Sequence, residues 1–203
     1  MTTTRHARLI TGSAGAVVHV VDDPALGRVE FTVLDPEGDL DVLHEWVTRP
    51  SARFWGLGHL SREELRDTYA YVESLPSHHA FLIRRDGLPI VLLQTYEPEN
   101  DPLGDAYDAR PGDAGIHFFL GDRGAPVVGL TTRIGELIAG FMFAISAVDR
   151  IVIEPDVEND RALARVRRFG FELGPRVRLP NKTGQLAVLT RDRWEALGAP
   201  RPR

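Results

Sequence analysis

Apolar residues in this chain recur with two different periods, which separate predicted strands from predicted helices. Residues 14–21 and 28–34 are rich in β-branched side chains, and the Asp-, Pro- and Gly-containing stretch between them predicts a strand pair joined by a turn. Asp86-Gly87, between two further apolar runs, is a hairpin signal. The other predicted strands cover 79–85, 90–96, 115–120, 150–154, 171–178 and 185–190.

Helical periodicity is strongest from Thr131 to Val148, where apolar side chains fall on one face of a helix. Ser61 followed by Glu64 forms a capping box, which predicts that a helix begins there. Residues 97–114 are polar and rich in Pro, Gly and Asp, so they predict a long loop. The predicted helices cover 39–48, 61–75, 131–148, 159–169 and 191–197.

The resulting element order is β-β-α-α-β-β-β-α-β-α-β-β. Its later part alternates strand and helix, as the crossover connections of a mixed α/β sheet do. With 203 residues and 43% hydrophobic side chains, the chain is long enough to build one domain with a full core. We therefore expect a single domain over 1–203, composed of an N-terminal β extension (1–36), a core (37–197) and a flexible tail (198–203).

Charge and composition exclude several classes of function. The net charge is −5 and no long basic run occurs, which argues against nucleic acid as a partner. The chain has no cysteine, so it has no disulfide, thiolate nucleophile or cysteine–zinc site. Its start lacks the apolar core of a signal peptide, and no apolar run approaches the roughly 20 residues that span a bilayer. We expect a cytoplasmic protein without a membrane partner.

The strand predicted at 115–120 carries a histidine between apolar residues. Because side chains alternate along a strand, His117 and Phe119 share one face. An imidazole at this position is either a core histidine bonded to a neighbouring carbonyl or a proton acceptor in a site. The strand alone does not decide between these two readings.

A glycine-containing loop leads into the helix predicted from Thr131. A helix N-terminus offers unpaired N–H groups and a partial positive charge, which suit a phosphate that a glycine allows to approach closely. Thr131 and Thr132 would then bind the phosphate or cap the helix. An ordinary loop with a threonine cap explains the same residues equally well.

The strand at 150–154 ends in Glu154-Pro155-Asp156. Pro155 has no N–H and removes a ladder hydrogen bond, which lets neighbouring strands part at this end. Asn159 or Asp160 can cap the following helix, and simple strand termination would account for that cap. It accounts less well for Asp156, because the carboxyl ends of strands in open α/β sheets are where ligands bind. Together with His117 and the helix start, Asp156 predicts a cleft suited to removing a proton from an amine.

These motifs resemble the GNAT (N-acetyltransferase) superfamily, over roughly residues 40–195. More narrowly, the chain is similar to the branch that acylates N-hydroxylysine, N-hydroxycadaverine or a lysine side chain during siderophore biosynthesis, including the mycobactin lysine N-acyltransferase type. The residues that carry the resemblance are Phe54-Trp55, YDARPGDAGIHFFLGD (107–122), EPDVEND (154–160) and RFGF (168–171).

The resemblance implies a GNAT fold, with a central, mostly antiparallel sheet whose strands splay apart and are flanked by helices. It also implies direct transfer of an acetyl or other acyl group from acyl-CoA to an amine or hydroxylamine, with no metal, in a monomer or homodimer. His117 and Asp156 match the active-site pair. The acceptor would lie against Phe54, Trp55, Tyr96 and Glu154, and the acyl-CoA against Phe119, Leu120, Val127, Val128, Gly129, Leu130, Thr131, Thr132 and Asn159.

Two positions depart from the family pattern. Val127-Val128-Gly129 stands where Gly-x-Gly is usual, so a side chain would crowd the pyrophosphate or cost backbone freedom. The predicted helix 159–169 has no tyrosine to protonate the departing thiolate. Two alternatives therefore remain: a GNAT enzyme that acts on another amine, such as an aminoglycoside or a protein, and a non-catalytic ligand-binding protein. The acidic loop 97–114 is interpreted as a lip that attracts a cationic acceptor, or as a plain solvated loop.

Overall fold

A computed structural model describes residues 8–122 and 127–198. Eight strands belong to one sheet, in the order β1-β2-β3-β4-β5-β6-β8-β7. The strands are β1 (Val17–Asp23), β2 (Gly27–Val33), β3 (His78–Arg85), β4 (Leu88–Tyr96), β5 (Asp113–Leu120), β6 (Arg150–Ile153), β7 (Glu172–Arg178) and β8 (Thr183–Thr190). The helices are α1 (Leu40–Val47), α2 (Arg62–Ser74), α3 (Leu130–Phe143), α4 (Asp160–Arg168) and α5 (Arg191–Ala196).

The sheet is mixed, as predicted. β1 pairs antiparallel with β2, β2 with β3, and β8 with both β6 and β7. β5 and β6 run parallel over three residue pairs, from Asp113 opposite Arg150 to Gly115 opposite Val152. This parallel pair is joined by α3, which is the crossover that the alternating strand and helix pattern predicts.

The chain forms two compact units. The first, here called the N-terminal unit, contains 11–95, 117–122 and 127–128 among its described residues, and the C-terminal unit contains 8–10, 96–116 and 129–198. β5 contributes its first half to the C-terminal unit and its second half to the N-terminal unit. The single-domain assignment over 1–203 stays a prediction.

The core of the N-terminal unit lies between α1, α2 and the strands β3 and β4. Leu43, Leu65 and Leu82 are fully buried there together with Trp46 and Tyr69. α2 begins at the predicted capping box: the Ser61 side chain accepts from the Glu64 N–H, and the Glu64 carboxylate accepts from the Ser61 N–H. Both helices are thus amphipathic, and each buries its apolar face against the sheet.

The C-terminal unit is organised around α3, whose buried positions follow the predicted helical period. A second apolar cluster collects residues from β4, β6, β7, β8 and the segment after β4; it comprises Tyr96, Leu103, Val152, Val177 and Leu186. Arg191 closes the end of α3, because its guanidinium donates to the carbonyls of Phe143 (2.7 Å), Ile145 (2.8 Å) and Val148 (2.5 Å).

Several boundaries differ from the predicted ones. β1 extends beyond its predicted end, through Asp22 and Asp23. It ends at Asp23, because Asp23 Oδ1 accepts from two N–H groups of the tight turn. α3 starts one residue early and ends at Phe143, although Val148 beyond its end is fully buried and continues the apolar pattern. The predicted loop at 97–114 contains the 3-10 helices Pro98–Asn100 and Pro102–Ala106, and a further 3-10 helix, Pro50–Trp55, lies between α1 and α2. Parts of three predicted segments lie outside the described residues, namely 1–7, 123–126 and 199–203.

Candidate active site

The imidazole of His117 belongs to an aromatic cluster in the N-terminal unit. His117 and Phe119 project from the same face of β5, as the strand alternation predicted, and both approach Trp55. The ring centroids of Trp55 and His117 are 6.5 Å apart in an edge-to-face arrangement, and those of Trp55 and Phe119 are 5.9 Å apart. His117 is half-buried, and its ring lies beside that of Trp55.

Trp55 is held by a buried phenol. It ends the 3-10 helix Pro50–Trp55, and Gly56 follows in the left-handed conformation that turns the chain away. Its indole Nε1 donates to the Tyr69 hydroxyl at 3.3 Å. Burial raises the pKa of Tyr69, so this phenol stays neutral. Phe54, by contrast, lies under the Arg53 guanidinium, 4.4 Å from the ring centroid, and is half-buried.

Residues of α1 and of the segment after α1 contact the chain directly after β5, where it leads into the predicted acyl-CoA loop. Leu120 is half-buried, and Gly121 follows directly against the ring of Trp46, where a Cβ would lie 2.0 Å from the nearest ring atom. Arg49 donates to the Gly121 carbonyl at 2.5 Å and also pairs with Glu45. Neither Trp46 nor Arg49 was predicted from the sequence, because nothing local to them marks a contact with β5.

The start of α3, predicted to bind the acyl-CoA pyrophosphate, is a helix N-terminus with a glycine at the N-cap. Gly129 is its N-cap with φ 74° and makes no side-chain cap hydrogen bond, so Thr131 and Thr132 are not the cap that one reading of the sequence allowed. A bare helix N-terminus leaves N–H groups available to a phosphate. Among the described residues, only Asp86 is a non-glycine with positive φ, so Val127 and Val128 take ordinary backbone conformations. The valine side chains therefore cause no backbone strain, and Val128 is 99% exposed. Leu130, which follows the cap, is buried.

Glu154 and Tyr96 form a buried pair in the C-terminal unit. The Tyr96 hydroxyl donates to Glu154 Oε2 at 2.8 Å, and the side chains are 2% (Tyr96) and 3% (Glu154) exposed. Lys182 completes the group, with its Nζ 2.9 Å from Glu154 Oε1. Burial is the main cause that raises the pKa of Tyr96 well above its usual range, and the negative charge of Glu154 is the second cause. The phenol of Tyr96 therefore remains the hydrogen-bond donor.

Asp156 and Asn159 organise the turn between β6 and α4. Asp156 bridges to Gly184 on β8, and its Oδ1 accepts from the Glu158 N–H at 2.8 Å. Asn159 caps α4 by accepting from the Ala162 N–H, which is the capping role that the sequence allowed. Pro155 keeps its carbonyl bonded to the Gln185 N–H, so the segment after β6 continues along β8.

Most carboxylates of the acidic loop 97–114 are used inside the C-terminal unit. Glu97 and Glu99 pair with the buried Arg8, and Asp101 caps the second 3-10 helix of the loop. Asp113 is 1% exposed, receives two hydrogen bonds from Arg150 at 2.5 and 2.6 Å, and accepts from the Tyr107 hydroxyl. Asp105 and Asp108 remain exposed, so the cation-attracting lip that the sequence suggested stays a prediction.

The structure thus brings together two groups of predicted residues: His117 with Trp55 and Phe119, and Tyr96 with Glu154. His117 and Asp156 belong to different units, and their pairing stays a prediction. Lys182 was missed, although one signal was visible: it is the single lysine of a chain that has 23 arginines.

Within residues 8–122 and 127–198, no group of three or more histidine or acidic side chains is arranged to hold a metal ion. No helix in the same part of the chain is long and apolar enough to cross a membrane.

Comparison with known proteins identifies several relatives. N(6)-hydroxylysine O-acetyltransferase of Escherichia coli is 26% identical over 83% of this chain, but the match covers 54% of that protein, so the chain spans about half its length. Aminoglycoside N(6')-acetyltransferase type 1 of Klebsiella pneumoniae is 27% identical over 78% of this chain and 82% of its own. N-hydroxyputrescine acetyltransferase of Acinetobacter baumannii is 26% identical over 77% of this chain and 74% of its own.

Solved structures confirm the predicted fold. An uncharacterized protein from Bacillus halodurans superposes with a TM-score of 0.81 at 22% identity, covering 91% of this chain and 95% of its own. An aminoglycoside acetyltransferase solved with coenzyme A has a TM-score of 0.72 at 24% identity, covering 83% and 98%. Residues 35–179 match the Acetyltransferase (GNAT) domain family, and this match spans most of the chain. The protein therefore belongs to the GNAT acetyltransferases, as its motifs implied.

Proposed function

We propose that the protein transfers an acetyl or other acyl group from acyl-CoA to the amine or hydroxylamine nitrogen of a lysine- or cadaverine-like acceptor, as a step in hydroxamate siderophore biosynthesis. The observation that carries this proposal is the half-buried His117 facing Trp55 and Phe119 on β5. Relatives named for N-hydroxylysine and N-hydroxyputrescine support the choice of acceptor.

In the proposed reaction, His117 accepts a proton from the acceptor nitrogen as that nitrogen attacks the thioester carbonyl carbon. A nitrogen–carbon bond forms, the carbon–sulfur bond breaks, and the departing thiolate takes a proton from solvent. Asp156 is proposed as the second catalytic residue, as the resemblance of its motif implies. An N-hydroxyamine is less basic than an amine, so more of it is already neutral near pH 7 and less is required of the base.

The residues at the start of α3 fit an acyl-CoA pyrophosphate. The N-cap Gly129 makes no side-chain cap hydrogen bond, and the Val128 side chain next to it is 99% exposed. A helix N-terminus favours an anion through both these donors and the helix dipole. The net charge of −5 means that these local donors, rather than the overall field, would hold the phosphates.

The alternative acceptor is an aminoglycoside, because the aminoglycoside acetyltransferases are similar to this chain to the same degree. A polycationic aminoglycoside would need acidic side chains at the site. Glu97 and Glu99 are paired with Arg8, and Asp113 is paired with Arg150, which favours an acceptor with fewer positive charges.

An acceptor panel tests the proposal. The purified protein would be incubated with acetyl-CoA and, in turn, N-hydroxycadaverine, N6-hydroxylysine, lysine, cadaverine and kanamycin, while release of the CoA thiol is followed. We expect the highest kcat/KM with one of the N-hydroxy acceptors. Turnover of kanamycin alone would replace the siderophore proposal with the aminoglycoside alternative, and lack of acyl-CoA binding by calorimetry would favour the non-catalytic protein.

His117→Ala tests the role of the imidazole. We expect kcat/KM to fall about 10²-fold or more for an amine acceptor, and by less for an N-hydroxy acceptor whose nitrogen is already neutral. The melting temperature should change little, because the ring is only half-buried. His59→Ala, at an exposed histidine, is the matched control and should leave kcat/KM unchanged. An equal loss of stability and activity would instead make His117 a core histidine.

A further inference from the structure

Lys182 occupies an unusual position for the only lysine in the chain. It lies in the connection between β7 and β8, it is 20% exposed, and its ammonium meets a carboxylate that is 3% exposed. Every other basic side chain of the lysine and arginine type is arginine. The use of lysine rather than arginine beside this buried carboxylate therefore needs a chemical explanation.

The geometry around Glu154 supplies that reason. Oε2 of Glu154 already accepts from the Tyr96 hydroxyl, and Lys182 Nζ approaches Oε1. An arginine fork binds a carboxylate best through both oxygens at once, whereas an ammonium is a compact point charge that needs one. Lysine therefore fits beside Tyr96, and arginine would compete with the phenol for Oε2.

The same phenol explains a glycine on β5. The ring of Tyr96 fills the space beside Gly115, where a Cβ would lie 2.1 Å from the nearest ring carbon. Gly115 stands two residues before His117 on β5. Glu154 stands two residues before Asp156, directly after β6. Tyr96 thus joins the two short motifs, Gly-x-His and Glu-Pro-Asp, through one packing contact and one hydrogen bond.

We propose that Tyr96, Glu154 and Lys182 form a positioning network that holds the β5 segment leading to His117 and the segment leading to Asp156 in place for acyl transfer. This inference rests on the proposed function, since it assigns the network to the acyl-transfer site. None of the three side chains is required to touch the reacting atoms. Their role is to fix the backbone from which the reacting side chains project.

Burial explains why all three members are needed. A carboxylate that is 3% exposed is costly to bury unless its charge is compensated, and the Lys182 ammonium contributes to that compensation. The charged carboxylate then accepts from Tyr96, and a hydrogen bond to a charged acceptor is stronger than one between neutral groups. Loss of any member loosens the contact between Tyr96 and Gly115, and small misplacements of reacting groups are costly in rate.

Tyr96→Phe is the sharpest test, because it removes one hydroxyl and keeps the ring against Gly115. At a temperature where the variant is folded by circular dichroism, we expect kcat to fall about 10-fold or more while KM for acetyl-CoA changes less than about twofold. Tyr71→Phe, at an exposed tyrosine, is the control and should leave kcat unchanged. A wild-type kcat in folded Tyr96→Phe protein would overturn the proposal.

Two lysine variants separate positioning from contact with substrate. Lys182→Met removes the ammonium that lies 2.9 Å from the buried Glu154 carboxylate, so we expect a lower kcat and a melting temperature lower by roughly 10 °C. Adding Glu154→Gln removes the charge but retains an oxygen that accepts from Tyr96, so the double variant should recover most of both losses. Failure to recover kcat in a double variant whose melting temperature is restored would place Lys182 in contact with substrate and overturn the positioning role.

A readout that does not depend on turnover keeps this test separate from the proposed function. The ring resonances of His117 in ¹⁵N-labelled protein report the placement of the imidazole. We expect Tyr96→Phe to shift them and Tyr71→Phe not to do so. Failure of the wild-type protein to acylate any acceptor would refute the proposed function but not the network. The network would be refuted if the His117 resonances did not shift in Tyr96→Phe.

Discussion

Two glycines on or next to β5 are required by aromatic rings that occupy the place of a side chain. Gly115 faces the ring of Tyr96, and Gly121 faces the ring of Trp46; a Cβ at these positions would lie 2.1 and 2.0 Å, respectively, from the nearest ring carbon. Neither glycine has a positive φ, so the requirement is one of space rather than of backbone conformation. At the residue scale, these contacts determine how closely the strand that carries His117 is held by its neighbours.

Gly115→Ala should therefore be destabilising through overpacking. We expect the free energy of unfolding to fall by about 1–3 kcal/mol, measured by urea denaturation, because the added methyl group forces Tyr96 to move. Gly140→Ala is the matched control, since Gly140 lies within α3 and a Cβ there meets no atom within 4 Å. That substitution should be stabilising by about 0.5–1 kcal/mol. Equal effects of the two substitutions would contradict the tight packing at Gly115.

At the scale of elements, α3 depends on a contact that is remote in sequence. The first residue of α5, Arg191, donates to three carbonyls at and after the end of α3, and its guanidinium lies 5.1 Å from the centroid of the Phe143 ring. Carbonyls at a helix end need such donors, because no later turn of the helix supplies them. One side chain thus fixes the exit from α3 and the path toward β6.

Arg191→Met should expose this dependence. The variant retains an apolar stem but leaves the carbonyls of Phe143, Ile145 and Val148 without this donor, so we expect a loss of about 2–3 kcal/mol in the free energy of unfolding. Chemical denaturation monitored by circular dichroism measures the loss. Arg167→Met, at an exposed position of α4, serves as the comparison and should stay within about 0.5 kcal/mol of the wild type. A comparable loss in both variants would mean that the capping contacts contribute little.

At the scale of the whole molecule, buried phenols link folding to alkaline pH. Burial raises the pKa of Tyr69 and Tyr96, and burial together with a hydrogen bond to Asp113 raises the pKa of Tyr107. These three are among the four tyrosines of the chain. Since a tyrosine in the unfolded chain ionises at about pH 10, the unfolded state loses these protons before the folded state does.

The three phenols make the stability of the folded chain fall at alkaline pH. The contribution of the three phenols to stability is fully present below about pH 10 and is lost as the pH rises above it, because ionisation then favours the unfolded chain. We expect phenolate absorbance from Tyr69, Tyr96 and Tyr107 to appear together with loss of the circular dichroism signal. Tyr71→Phe, at the exposed tyrosine, should leave that joint step unchanged. Ionisation of all phenols while the protein remains folded would contradict the burial of Tyr69 and Tyr96.

The sequence alone determined the order of the elements, the mixed sheet and the face of β5 that carries His117, because these depend on short-range periodicity. It also determined the capping box of α2 and the Asp86-Gly87 turn, which are local patterns of hydrogen bonding and backbone conformation. A few motifs resemble the GNAT superfamily, and the match of residues 35–179 to the Acetyltransferase (GNAT) domain family confirms that resemblance. The ends of β1 and α3 were wrong by several residues, because turn contacts and tertiary capping set them.

Only the tertiary structure decided which distant residues meet. Nothing local to Lys182 indicates that its ammonium reaches Glu154, nothing near Tyr96 predicts that its ring covers Gly115, and nothing near Arg49 predicts its bond to Gly121. The physical reason is that a buried charge, a missing Cβ and an unpaired carbonyl are each satisfied by whichever group the fold brings near. The sequence supplies those groups, and the packing of the folded chain selects the pairs.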